Sequence, residues 1–166
     1  MNRLFFIFFL LASQTMLEGQ SLPENKVPFL SFGEFEPLLH RQSDTTYVLN
    51  FWATWCGPCV RELPHFEKLG KEMAGRKVKI ILVSLDFEEQ IQSRLLPFLK
   101  RKKIKSEVKV LSTEGQQDWI DRVDPSWSGA IPATIIYRNN TKRVFYERAF
   151  NYSELKSTVL TFLEQQ

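Results

Sequence analysis

The hydrophobic period changes at a pair of cysteines, and no other feature restricts the fold of this chain so tightly. Tyr47 to Ala53 is apolar or aromatic at every position except Asn50, the pattern of a strand covered on both faces. From Cys59 onward, Val60, Leu63, Phe66, Leu69 and Met73 recur at intervals of three and four, which predicts an amphipathic helix to about Ala74. Gly75 closes that helix, and the apolar run Val78 to Leu85 predicts a second buried strand. Strand, helix and strand in that order imply a parallel pair joined by a right-handed crossover.

Cys56 and Cys59 therefore stand where a buried strand gives way to the first turn of a helix. Free backbone N–H groups and the positive end of the helix dipole favour an anion there, which lowers the pKa of a thiol exposed at that point. Cys56 is expected to be the nucleophile. Cys59 lies about one turn further on, inside the helix, close enough for a short disulfide loop and shielded from solvent. One sulfur attacks and the other resolves.

A chain of 166 residues suits a single domain with one core. Both cysteines fall in the one CxxC, so the pair is either redox-active or half of a metal site. Zinc would require two further ligands, and only His40 and His65 offer imidazole, so the redox reading is preferred. The net charge of +3 is too small to imply a nucleic-acid partner.

At the N-terminus, Arg3 precedes the apolar block Leu4 to Ala12, which is followed by polar Ser13, Gln14 and Thr15. The block falls short of the roughly 20 residues that span a bilayer and matches the core of a secretory signal peptide. Residues 1–20 are expected to be a signal peptide and residues 21–166 the domain, which places the protein in the periplasm or another extracytoplasmic compartment. Retention as an uncleaved anchor is the alternative, because Gly19 is not preceded by a clean small-x-small cleavage triplet.

Ser31 and Glu34 have the spacing of a capping box and open a short helix through Leu39. Glu88 to Lys103 reads as a helix that Pro97 should kink or break, with Lys100 to Lys103 as its solvated end. Glu107 to Ser112 is expected as a peripheral strand and Gln116 to Val123 as a short helix. Ile131-Pro132 leads into a strand, Ala133 to Tyr137, and Asn139-Asn140 supports a hairpin to Arg143–Ala149. Ser153 to Glu164 is the last helix.

Trp55-Cys56-Gly57-Pro58-Cys59 resembles the thioredoxin-fold active site. Its continuation, Val60-Arg61-Glu62-Leu63-Pro64, resembles the TlpA/ResA branch of exported thiol-disulfide oxidoreductases, in which an acid follows the second cysteine by three residues and a proline comes two later. Ala130-Ile131-Pro132-Ala133-Thr134 resembles the loop that carries the family's cis-proline. The similarity extends from about Ser31 to Gln165. It implies an α/β, thioredoxin-like fold, a central mixed β-sheet flanked by helices on both faces with an extra N-terminal element. It also implies a protein-disulfide reductase whose only redox group is the Cys56–Cys59 disulfide, with no separate cofactor and no metal.

In that reading Cys56 attacks, Cys59 resolves and Glu62 moves the proton, while Trp55, Gly57, Pro58, Ile131, Pro132 and Trp127 face the substrate. The implied partners are disulfide-containing protein substrates and a membrane electron donor of the thiol-reducing type; a monomer is expected. Asn50 departs from the cytosolic thioredoxins, which resemble this stretch but carry a buried aspartate there, so the proton role is expected to fall to Glu62. Gly57-Pro58 is the pair found in reducing thioredoxins, which favours a reductase. One rival is a peroxidase of the peroxiredoxin type, which would want Thr-x-x-Cys where Thr54 stands only two places before Cys56. The other is a metal-binding or chaperone module, for which a histidine downstream of His65 is missing.

Overall fold

The computed structural model describes residues 27–139 and 142–164. The expected signal peptide and part of the hairpin tip after Asn139 lie outside the described residues. Six strands, β1 (Phe29–Leu30), β2 (Thr46–Trp52), β3 (Val78–Ser84), β4 (Glu107–Leu111), β5 (Ala133–Arg138) and β6 (Lys142–Tyr146), form one sheet in the order β1-β4-β3-β2-β5-β6. The first four in that order are parallel, and β5 and β6 are antiparallel additions. β2, the run with the strongest apolar pattern, is buried at every residue because it has a strand on each side and a layer on each face.

The helices are α1 (Phe32–Phe35), which continues as a 3₁₀ turn over Glu36–His40, α2 (Gly57–Glu72), α3 (Leu96–Lys102), α4 (Gln116–Val123) and α5 (Tyr152–Leu163). Alternation along the strands sorts the side chains into two cores. Val48, Trp52 and Leu82 meet Phe66 of α2, Phe98 of α3 and Phe162 of α5 on one face. Leu49, Phe51 and Val83 meet Phe35 of α1 and Trp119 of α4 on the other. This is the expected three-layer α/β arrangement. The same alternation turns Asn50 toward α2, directly opposite Thr134 on β5.

Three local expectations are corrected. β4 is not peripheral, because β1 pairs outside it, Phe29 opposite Val110 and Leu30 opposite Leu111; a two-residue strand is too short to show a period. The segment from Glu88 is broken at Pro97 as expected, but the part before the break is not α-helix: a 3₁₀ turn (Glu88–Gln90) and a wide π turn (Ile91–Leu95) precede α3, which has Pro97 in its first turn. Pro97 has no N–H to give, and its ring would crowd the carbonyl four residues back, so the wider turn relieves the clash and proline starts the regular helix. β6 ends at Tyr146 rather than Ala149, because the chain leaves the sheet there and carries the Phe150 N–H to Glu62, at 2.7 Å.

The capping box forms as its spacing predicts, with Ser31 N–H donating to Glu34 at 2.9 Å. Gly129 lies in the loop that leads to Pro132, at φ +93, and a Cβ there would stand 2.8 Å from Ile120 Cδ1. Gly129→Ala is expected to destabilise the fold by about 1–3 kcal/mol, chiefly through left-handed backbone strain, since Ile120 Cδ1 is the end of a side chain that can turn aside. Urea denaturation checks it: a midpoint equal to the parent's would show that the loop shifts without cost.

Candidate active site

Cys56 is the N-cap of α2 and has extended backbone, φ −87 and ψ 102. Its Sγ accepts the N–H of Cys59 at 3.3 Å, so a helix-terminal donor is aimed at the sulfur that the sequence nominates as nucleophile. Pro58 in the first turn has no N–H and fits a helix start. The two sulfurs are joined, with S–S 2.04 Å and Cα–Cα 5.3 Å. Cys56 retains 7% of its surface and Cys59 none, so a partner disulfide can meet only the first. Trp55, Gly57 and Pro58 are exposed around it.

The Ile131–Pro132 peptide bond is cis. The carbonyl oxygen of Ile131 lies 3.6 Å from Cys56 Sγ, which brings this loop against the disulfide although 75 residues separate them in sequence. Ile131 is half-buried and Pro132 buried, so what the loop offers at the surface is the Ile131 side of the turn. Trp127 is not on the groove as expected. It is 3% exposed, its ring packs 4.8 Å from that of Phe51, and its Nε1–H donates to the Ala130 carbonyl at 2.8 Å. An indole large enough to fill the core below the loop, with one donor to satisfy, supports the loop from beneath.

Glu62 is 2% exposed, which rules out a solvated helix carboxylate. Oε2 accepts the Phe150 N–H at 2.7 Å, and Oε1 accepts Asn50 Nδ2–H at 2.8 Å. Burial raises its pKa above the ordinary carboxylate range; the hydrogen bonds from Phe150 and Asn50 oppose this without cancelling it. Glu62 sits three residues beyond Cys59 on α2, the spacing that puts two side chains on one helix face. A buried base with an elevated pKa thus shares a face with the buried sulfur. Asn50, the neutral amide that stands where the resembling cytosolic thioredoxins carry an aspartate, also donates to Thr134 Oγ1 at 3.1 Å.

Asp86 was missed by sequence reasoning. It is 1% exposed, accepts the Thr54 N–H at 3.0 and 3.2 Å, the Thr54 hydroxyl and the Ser84 hydroxyl at 2.7 Å. These bonds tie the end of β3 to the loop before Cys56, where Cys56 N–H donates to Ala53 at 3.1 Å. The available signal was an acid placed directly after a buried apolar run, where a carboxylate must find donors. Among the described residues no group of three or more His, Cys, Asp or Glu side chains is arranged to hold a metal.

A mixed sheet with a CxxC at the head of the helix after its central strand, faced by a cis-proline loop, is a thioredoxin-like fold with a redox-type cysteine pair. The AhpC/TSA family profile matches residues 19–142, and the chain belongs to that family. It is 38% identical over 81 residues to thioredoxin-like protein YneN of Bacillus subtilis, covering 49% of this chain and 46% of that one. It is 43% identical over 49 residues to thiol-disulfide oxidoreductase ResA of Oceanobacillus iheyensis, 30% of this chain and 26% of that one. The matches thus span between about a quarter and a half of these relatives' length. The crystal structure of StoA from Bacillus subtilis superposes with TM-score 0.56 at 21% identity, over 70% of this chain and 83% of that one, a likeness of fold.

Proposed function

We propose that this chain is an extracytoplasmic thiol-disulfide oxidoreductase that reduces disulfides in proteins. The observation that carries the reading is the asymmetry of the cysteine pair: Cys56 keeps surface and receives a helix N–H, while Cys59 has no exposure and shares a helix face with the buried Glu62. In the reduced protein the Cys56 thiolate attacks one sulfur of a substrate disulfide. A Cys56–substrate disulfide forms, and the first substrate sulfur leaves as a thiolate that takes a proton from water.

Cys59 then gives its proton to the Glu62 carboxylate and attacks Cys56 Sγ. The intramolecular bridge forms, and the second substrate thiolate departs. Two electrons have passed from the cysteine pair to the substrate, and a thiol-class donor at the membrane must return them. Trp55, Gly57, Pro58 and the backbone at Ile131 would receive the substrate strand. The apolar block Leu4–Ala12 supports export.

Equilibration with a glutathione series is expected to give a midpoint near that of reducing thioredoxins, about −270 mV, together with dithiothreitol-driven reduction of insulin. A midpoint near about −120 mV would make the protein an oxidant instead. A peroxide-consumption assay is the parallel check on the family's other chemistry. The Thr54 hydroxyl, which a peroxidase would aim at its cysteine, is already committed to Asp86, so no peroxide turnover is expected.

A further inference from the structure

Three large apolar side chains are exposed among the described residues, Phe29 (38%), Trp55 (47%) and Phe87 (49%), and all three lie along one edge. The strand register shows why. Trp52, Ser84, Val110 and Phe29 are successive partners across β2, β3, β4 and β1, a single row through four parallel strands. Trp55 and Phe87 each follow their row residue by three positions, so they project beyond the same end of the sheet. At about 4.8 Å per strand the band runs about 14 Å from the strand that leads to Cys56 out to Phe29, the reach of four or five extended residues.

Beside this band a concavity of about 300 Å³ opens between Phe29, Phe87 and Ser112, rimmed by Glu88, Glu89 and Glu114. Those three carboxylates are exposed, and none is paired with a basic side chain among the described residues. They stand on a chain whose net charge is +3, so this edge is acidic against the rest of the molecule. Aromatic surface bordered by unpaired carboxylates, starting beside the reactive sulfur, complements a segment that carries both apolar and cationic side chains.

We infer that this edge docks a lysine- or arginine-bearing extended segment of the protein whose disulfide Cys56 attacks. The inference rests on the exchange reading and adds the chemistry of the substrate. The sequence just ahead of β1, with Glu18 and Glu24 against Lys26, lacks the charge to complement the same carboxylates. Apolar residues of the substrate segment would cover Phe87 and Phe29 while its cations meet Glu88, Glu89 and Glu114. The attraction steers encounter and weakens with salt.

The test uses two synthetic peptides that differ only in carrying lysines or glutamates four to six residues from a cysteine held in a mixed disulfide. The ratio of their kcat/KM values cancels the intrinsic exchange rate. At low salt the lysine peptide is expected to be favoured about tenfold or more, the sum of three exposed ion pairs. That ratio should fall toward one in 0.5 M salt and in the Glu88→Gln/Glu89→Gln/Glu114→Gln protein. A ratio near one in the parent, or one that the triple substitution leaves unchanged, overturns the proposal.

Cysteine-free versions of both peptides, titrated by fluorescence anisotropy, read the edge without the sulfur chemistry. If no peptide is turned over, the exchange reading fails, and the binding ratio alone decides the docking site. A dimer seen by sedimentation that dissociates on the triple substitution would assign the edge to a second copy and overturn the inference.

Discussion

Cys56→Ser is expected to abolish the proposed disulfide reduction, with a loss on the order of 10³-fold or more, whereas Cys59→Ala is expected to keep the first attack and stop at a covalent complex. The difference follows from where each sulfur sits. Cys56 has the pair's only accessible surface, and its Sγ receives the Cys59 N–H at 3.3 Å; a serine hydroxyl there ionises far less readily and forms no disulfide. Cys59 is fully enclosed, so no substrate reaches it, and its only available target is the neighbouring sulfur. Removing it deletes the second step alone. Mass spectrometry should find about one substrate equivalent bound to the Cys59→Ala protein, released by dithiothreitol. Continued turnover by that variant, or alkylation of both cysteines of the reduced parent at equal rates, contradicts the assignment.

The parts of this molecule that were legible in the sequence are those written in a local period. The buried run of β2, the amphipathic spacing of α2 and the cysteines at their junction needed only a window of residues, and Ser31 with Glu34 needed four. Proximity across the sheet was not legible by itself. The placement of Pro132 against Cys56 came from likeness to a known loop, and the 3.6 Å approach of the Ile131 carbonyl spans 75 residues. Trp127 illustrates the limit. An aromatic two residues before Gly129 suits a groove or a core equally, and only the ring of Phe51 at 4.8 Å and the Ala130 carbonyl decide for the core. The two-residue β1 and the π turn ahead of Pro97 leave no periodic trace at all.

Glu62 shows the same limit more sharply, because its spacing from Cys59 was visible and its environment was not. Its two acceptor atoms are filled by Asn50, 12 residues earlier, and by the Phe150 N–H, 88 residues later. The nearby Asn50 Oδ1 is buried without a partner among the described residues. Glu62→Gln is expected to cost less than loss of the side chain: Oε1 keeps the Phe150 N–H, and rotation of the Asn50 amide lets Oδ1 accept from the new Nε2–H and from the Thr134 hydroxyl. Asn50 Nδ2 then takes the unpartnered position. Glu62→Ala instead leaves both donors unfilled and should cost about 2 kcal/mol or more.

The pH dependence separates the parent from Glu62→Gln. Unfolded, Glu62 titrates near about 4.3; folded, burial holds its pKa above that value. The folded state therefore binds this proton more tightly. Its contribution to stability is fully present below about pH 4 and is lost as pH rises through the folded pKa. The glutamine variant has no such loss, so urea midpoints should shift in its favour as pH rises from about 4 through the folded pKa, and then hold a constant difference.

The catalytic consequence runs the other way. Attack by Cys59 requires its proton to leave a site with no solvent, and in the proposed exchange the buried Glu62 carboxylate on the same helix face takes it. Resolution in Glu62→Gln should slow by about 10²-fold while the first attack by Cys56, which faces solvent, stays nearly unchanged. The parent's resolution rate should climb with pH through the raised Glu62 pKa, and this limb should vanish in the variant. Stopped-flow measurement of the two steps decides it, since equal slowing of attack and resolution would assign Glu62 to the architecture of the site rather than to the proton.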